Sequence, residues 1–582
     1  MSRLRYVKGN VVEITGGNYK VYSNDNIEIH SGDKIIQTGD ENGVNFGKPK
    51  KPPVIDKISS NCLVEFRTKQ DGTYTGQFGF DWLRVDDNAL TTEPKYYDCI
   101  ENGYEAPNGK APNRDSNTEH ETKDEAYKAL KKGYSKIPIK MPVTTPATPA
   151  KDYFVPYLNL FSKPFSDAVT VPAGMPKPPF EAELRTLIEV GGTDEPDQVR
   201  VVFDKRYFEI NGKDGSDATP VLISNKIIGA KRDATADILK IKCIAEFDNT
   251  QQIKVFSYPK GTVALPLAEQ LAKRELAGKI LVLPNKNTAG KAPVKNVKKL
   301  KVVLVKVLTN IRGARINTGT FDGGSASGEK QDLLNGLYQA LIQTTIIDSQ
   351  TSATGVVTTL ELDVTGNSQF QQQYNATGTP IASPLVNEFG VIQPVDALIP
   401  ALKTLFHAQT ANRYTNHFIA FAVDERSGNT NGRVENINKK AVVLFNIRNA
   451  KTLPHEGMHG LGLYHTHRDL RRHVKINSIN PSTATIFDDQ NSTPTINNNT
   501  LKADKNNLYI GTDNSTWNYD NITSTYVLST NYCRHDHPKT QKFVFKHAWY
   551  DPTHATDNFM SYNGVLRKST WQWQWKLIKS NV

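Results

Sequence analysis

The sequence predicts a multidomain protein that is β-rich in its first half and mixed α+β in its second. Three observations carry this. The chain has 582 residues, which at roughly 100–200 residues per domain suggests about three or four. Up to about residue 283, apolar and polar residues alternate at the period of a strand, with glycine turns between the runs and almost no helical periodicity. From about residue 300 the pattern changes to strands interspersed with apolar residues at helical spacing.

Taken in order, residues 1–137 read as a β-rich region. Asn10-Val-Val-Glu-Ile-Thr and Asp33-Lys-Ile-Ile-Gln-Thr-Gly alternate as strands do, and Lys48-Pro-Lys-Lys-Pro-Pro-Val reads as a linker. Cys62-Leu-Val-Glu-Phe-Arg and Gly76-Gln-Phe-Gly-Phe-Asp-Trp-Leu-Arg are again strand-like, and one helix is expected over Thr122–Lys132. Residues 138–150 form a Pro/Thr-rich linker. In 151–283, strands are expected at Phe180–Val190, Gln198–Phe208, Leu239–Phe247 and Gln252–Tyr258, with a turn at Asn211-Gly212. Several short strands with regular turn signals point to a β-sandwich of immunoglobulin-like type. A second linker covers 284–299. In 300–582, Lys301–Leu308 is a strand, and Leu333, Leu334, Leu337, Tyr338, Leu341 and Ile342 predict a helix over 329–347. Further strands are expected at Val356–Val364, Asn416–Val423 and Lys440–Asn446.

Composition narrows the class. Hydrophobic residues make up 38% and charged residues 23%, and no run approaches the ~18–20 apolar residues of a membrane span. Cys62, Cys99, Cys243 and Cys533 form no CxxC pair, so no disulfide framework is expected. The net charge is +11. The basic stretches Lys48–Lys51 and Lys291–Lys306 lack interleaved aromatics, so solvated faces are expected and nucleic acid is not an expected partner. Met1–Asn10 carries positive charge with no apolar segment after it. The expectation is synthesis in the cytoplasm without a Sec signal, with any export by a non-Sec route.

The chemistry-bearing segment is residues 455–465, His-Glu-Gly-Met-His-Gly-Leu-Gly-Leu-Tyr-His. His455 and His459 are four apart, so on a helix both imidazoles lie on one face, a turn apart. A catalytic zinc takes three protein ligands and keeps a position for water. Glu456 is placed to take a proton from that water. Gly462 can adopt a left-handed conformation that ends the helix and turns the chain, bringing His465 in as the third ligand. Pro454 is tolerated only in the first helical turn, so the helix should start near Thr452.

His455-Glu-x-x-His459-x-x-Gly462-x-x-His465 resembles the extended zinc motif of the metzincin metallopeptidases, and Asn558-Phe-Met-Ser-Tyr562 is similar to that family's methionine turn. The resemblance covers about residues 300–582. It implies a metzincin-like α+β domain with a twisted mixed sheet, one catalytic Zn2+ and protein or peptide substrates. Met560 would be packing support rather than a ligand, and Tyr562 a catalytic group that stabilises the oxyanion. It also implies a substrate-pairing edge strand at Gly432, Arg433 and Val434, and a C-terminal helix in 569–578. The long Asn/Ser/Thr-rich stretch ~468–556 reads as an inserted loop region. Within it, Cys533-Arg-His535-Asp-His537 reads either as a polar loop or as a second metal site. The phrase Gly76–Arg84 is similar to N-terminal regions of large toxin-like proteins of Bacteroidota, which implies a front half for delivery, for instance through a contractile injection system, with the peptidase as payload. The alternative function is a structural or adhesive binding protein with a non-catalytic peptidase-like domain.

Overall fold

The computed structural model describes residues 56–58, 60–69, 72–83, 123–139, 152–224, 226–287, 296–310, 315–351, 354–368, 394–426, 430–466, 556–561 and 567–582. It gives the backbone alone for 123–126, 229–236, 394–397 and the strands between 472 and 528. The chain divides into two compact units, Met1–Lys57 and Ile58–Val582. The expected strands and linker in 1–54 lie outside the described residues. The second unit is β-rich, with several sheets and few helices.

Its first half contains β1 (Cys62–Thr68), β2 (Gly79–Asp81), α1 (Lys123–Lys131), β3 (Lys136–Pro138), β4 (Asp152–Phe154), β5 (Tyr157–Asn159) and α2 (Lys163–Ala168). There follow β6 (Glu181–Val190), β7 (Gln198–Val202), β8 (Phe208–Ile210), β9 (Val221–Ile223), β10 (Gly229–Cys243), β11 (Gln251–Tyr258), α3 (Leu267–Lys273) and β12 (Glu275–Val282). One sheet runs β1–β6–β10–β8 and a second β2–β5–β12–β11–β7–β9. They share one apolar core: Val64, Phe66, Leu184 and Ile241 come from the first sheet, and Phe80, Leu158, Val199 and Ile280 from the second. Between β8 and β10, Asn211 and Gly212 both have positive φ (52° and 71°). Ile210 and Lys213 exchange main-chain hydrogen bonds across them at 3.0 Å, which is the two-residue turn that matches strand twist.

Two expectations change here. The stretch expected to be one strand, Gln198–Phe208, is two, because a turn at Asp204–Tyr207 separates β7 from β8. Nor do the strands of 58–137 form a region of their own. β1 pairs with β6 over seven residues, from Cys62↔Val190 to Thr68↔Leu184, and β2 pairs with β5. The segment Cys62–Phe66 has its apolar side chains buried on both faces, so it needs a neighbouring layer on each side, and the later strands supply them.

The second half is organised on one mixed sheet. Its elements are β13 (Lys298–Thr309), β14 (Asn317–Thr318), α4 (Glu329–Tyr338), β15 (Ile342–Ile347), β16 (Ser349–Thr351), β17 (Val357–Thr359), β18 (Glu361–Asp363), α5 (Pro394–Gln409), β19 (Phe418–Ala422), β20 (Gly432–Val434), β21 (Ala441–Leu444) and α6 (Thr452–Gly460). β13 is central and pairs in parallel with β15, β18 and β19. β21 continues the sheet in parallel, and β20 closes it as an antiparallel edge. Alternation along β13 divides the cores. Val303, Val305 and Val307 face Leu398, Leu402 and Phe406 of α5. Leu300, Val302 and Leu304 face Leu333 and Leu337 of α4 and Met458 of α6.

The helix expected over 329–347 ends at Tyr338. Leu341 takes φ 54°, its carbonyl accepts from Lys298 N–H at 3.1 Å, and Ile342-Gln-Thr-Thr-Ile-Ile runs on as β15. Five of those six residues are β-branched, which favours a strand once an edge of β13 is offered. The expected strand Val356–Val364 is likewise two short ones, β17 in a hairpin with β16 and β18 against β13.

Among the described residues, the expected loop insert contains seven antiparallel strands: β22 (Arg472–Ile476), β23 (Thr483–Asp488), β24 (Thr495–Asn497), β25 (Lys502–Asp504), β26 (Asn507–Ile510), β27 (Ser515–Asp520) and β28 (Thr525–Leu528). They form one sheet in the order β24–β23–β22–β28–β27–β26–β25. Alternating segments such as Thr483-Ala-Thr-Ile-Phe account for a sheet rather than a loop. The chain ends in α7 (Gln572–Ser580), a helix as expected.

A buried ion pair ties α4 to the approach to α6. Arg448 Nε and Nη2 donate to the two carboxylate oxygens of Glu329, each at 2.9 Å, and Glu329 is fully buried. Replacing Arg448 by Met leaves that carboxylate buried without its partner and should cost about 3–5 kcal/mol. In chemical unfolding, Arg448→Met should show a clearly lowered midpoint, and Glu329→Leu combined with Arg448→Met should recover most of it.

Candidate metal centre

Helix α6 places Pro454 in its first turn, where the missing N–H costs nothing. His455 and His459 follow one turn apart, both buried. Gly460 lies where a Cβ would meet the ring of Phe418 and, at 2.9 Å, the carbonyl of Lys439. A glycine that weakens the helix therefore lets it lie close on the sheet.

The helix ends in a Schellman motif. Gly462 has φ 94°, its N–H donates to His459 O at 2.9 Å, and Leu463 N–H donates to Met458 O at 3.0 Å. The chain then reverses and carries His465 back to the helix. His465 Nε2 lies 3.2 Å from His455 Nε2 and 3.0 Å from His459 Nε2. Among the described residues this is the one group of three or more His, Cys, Asp or Glu side chains that could hold a metal ion.

The outer nitrogens are held by main chain. His455 Nδ1 donates to Phe559 O at 2.8 Å and His459 Nδ1 to Leu463 O at 2.6 Å. Those carbonyls keep the protons on Nδ1 and turn the Nε2 lone pairs toward one point, the usual outer support of imidazole metal ligands. Burial, together with the neighbouring imidazoles, holds His455 well below the ordinary histidine range.

Phe559 belongs to a turn in which Ser561 N–H donates to Asn558 O at 3.0 Å and Met560 N–H to Asn558 Oδ1 at 2.9 Å. Met560 is fully buried in the core shared with Met458 and Trp575. Its carbonyl accepts from Thr466 N–H at 3.1 Å. The turn thus supports both His455 and the loop that carries His465.

Glu456 is half-buried on the same helix, and burial pushes its carboxyl up to about 7 against the opposing pull of Arg433, Arg567 and the Val434 N–H. The edge strand β20 runs beside it: a Cβ on Gly432 would lie 3.0 Å from Glu456 Cγ. Asn431 O and Glu435 N–H bond back toward β21, so the main-chain groups of Gly432 and Val434 point away from it, the Val434 N–H to the Glu456 carboxyl.

Of the predicted site residues, His455, Glu456, His459, Gly462, His465, Met560, Gly432, Arg433 and Val434 are described. Tyr562, Cys533, His535 and His537 lie outside the described residues. Sequence reasoning missed Arg567. Its Nη1 donates to Ser561 O at 3.0 Å and lies 3.4 Å from His455 Nδ1. No spacing rule marks an arginine there.

No protein-family model, no curated protein and no solved structure matches the chain. The residues of the site therefore carry the functional reading.

Metal analysis of the purified protein should find about one divalent ion per chain, falling below about a tenth in His459→Ala. Gly462→Ala, forced into a left-handed conformation, should cost about 1–2 kcal/mol in the same protein's unfolding.

Proposed function

We propose that this protein is a zinc-dependent endopeptidase of metzincin type. The observation that carries the reading is the convergence of His455, His459 and His465 above the buried turn at Met560, with Glu456 beside the first ligand. The donor set fits zinc. Tetrahedral bonds of about 2.0–2.1 Å put ligand nitrogens roughly 3.4 Å apart, within a few tenths of the 3.0 and 3.2 Å separations here. A zinc ion held by these imidazoles would supply Lewis acidity to a water and to the substrate carbonyl.

The chain's own groups then divide the work. Glu456 takes the proton from the attacking water at its carboxylate and returns it to the leaving amine. A carboxyl near neutrality suits both transfers, and a bound cation would draw it lower and favour the base form. Gly432 and the Val434 carbonyl offer main-chain groups to an extended peptide along the edge strand β20, which favours protein substrates over small molecules. Tyr562 is assigned the oxyanion by the metzincin resemblance. The mixed sheet between helical layers supports a metzincin-like domain. The two front sheets over one core support an immunoglobulin-like sandwich as the finer description of that half.

Glu456→Gln should keep its zinc and lose about 10²–10⁴-fold in cleavage of casein or a peptide library. Chelation should abolish the parent's cleavage and added zinc restore it. Undiminished cleavage by Glu456→Gln would remove Glu456 as the base.

A further inference from the structure

We propose that the front sheets are part of the metal centre: through Gln339 and Asp81 they set the position of the turn that holds His455. The inference rests on the metal-site reading above and goes beyond it, because it makes the β-sheet half a positioning scaffold rather than a detachable carrier.

Gln339, just past α4, is fully buried and joins three parts of the chain. Its Nε2 donates to Gly76 O at 2.8 Å, ahead of β2, and to Lys568 O at 2.7 Å. Its Oε1 accepts from Thr570 N–H at 2.8 Å and Thr570 Oγ1 at 2.9 Å. Its carbonyl accepts from Asn159 Nδ2, on β5, at 2.7 Å. From there the path to the ligand is short. Ser569 O accepts from Phe559 N–H at 2.9 Å, and Phe559 O accepts from His455 Nδ1 at 2.8 Å.

A second path runs through Asp81 at the end of β2. Its carboxylate accepts from Tyr134 Oη and, at 2.9 Å, from Gln572 N–H at the start of α7. Two residues on, Gln574 exchanges side-chain hydrogen bonds with Asn558 at 2.9 and 3.3 Å. The Asn558 side chain also holds Met560 N–H. Both paths therefore end on the turn beneath the histidines.

The contact has the character of an interior. Asp81, Asn159, Gln339, Thr570 and Gln574 are all buried, and an interface between detachable domains would leave such groups wetter and more mobile. Gly76 and Gly79 leave no room for a side chain, since a Cβ would run into Lys568 O at the first and Gln339 O at the second. The phrase Gly76-Gln-Phe-Gly-Phe-Asp is thus the docking segment of the front half on the catalytic half.

The test uses the full-length protein and reads zinc affinity by competition with a chromophoric chelator, together with the visible spectrum of the cobalt-loaded form. The parent should bind one zinc. Gln339→Met and Gly79→Ala should fold, by circular dichroism, yet bind zinc roughly tenfold or more weakly, with a changed cobalt spectrum. Thr570→Val should move the same way and Thr570→Ser should restore parental affinity. Folded variants with affinities within twofold of the parent and unaltered cobalt spectra would overturn the proposal, even if they melted earlier. Should Gln339→Met and Gly79→Ala not fold, the Thr570 pair decides, and equal affinities overturn it. A parent that binds no zinc would instead overturn the metal-site reading itself.

Discussion

Three imidazole Nε2 atoms are gathered in a buried site, with His465 at 3.2 Å from His455 and 3.0 Å from His459. Because His455 and His459 donate from Nδ1 to carbonyls, their Nε2 atoms face His465 as electron-rich groups in a buried site. Under the zinc reading proposed above, a cation at their centre would take all three as ligands, and metal binding would then be linked to folding. The surrounding structure has to hold three rings from two segments at that spacing.

That requirement explains features that otherwise look unfavourable. A proline in the first turn, a glycine pressed on Phe418 and a left-handed Gly462 make a poor helix in isolation. Packed on the sheet, they start it, seat it and stop it where two ligands share a face and the third can return. The Glu329–Arg448 pair fixes α4 against the entry to α6, and the Asn558–Ser561 turn fixes His455 from beneath. The hydrogen-bond partners of Glu329, His455 and Asn558 favour one arrangement over near neighbours.

Much of the site was legible in the sequence because its chemistry sits in one local segment. Residues 455–465 contain three candidate ligands, a candidate base and the glycine that turns the chain, and local spacing decides their geometry. Period-two alternation likewise showed β1, β6, β11, β13, β19 and β21. What the sequence hid was set by long-range contact. Ile342–Ile347 matched a helix until the edge of β13 was offered. β1 read as part of a separate region because its pairing with β6 spans more than a hundred residues. Arg567 and Gln339 acquire meaning only through groups far away in the chain, and no local pattern could mark them.

The most direct test of the account is X-ray absorption at the zinc edge of the purified full-length protein. Three imidazole nitrogens and one oxygen at about 2.0 Å are expected. A spectrum showing sulfur ligation, or fewer than three imidazoles, would contradict it.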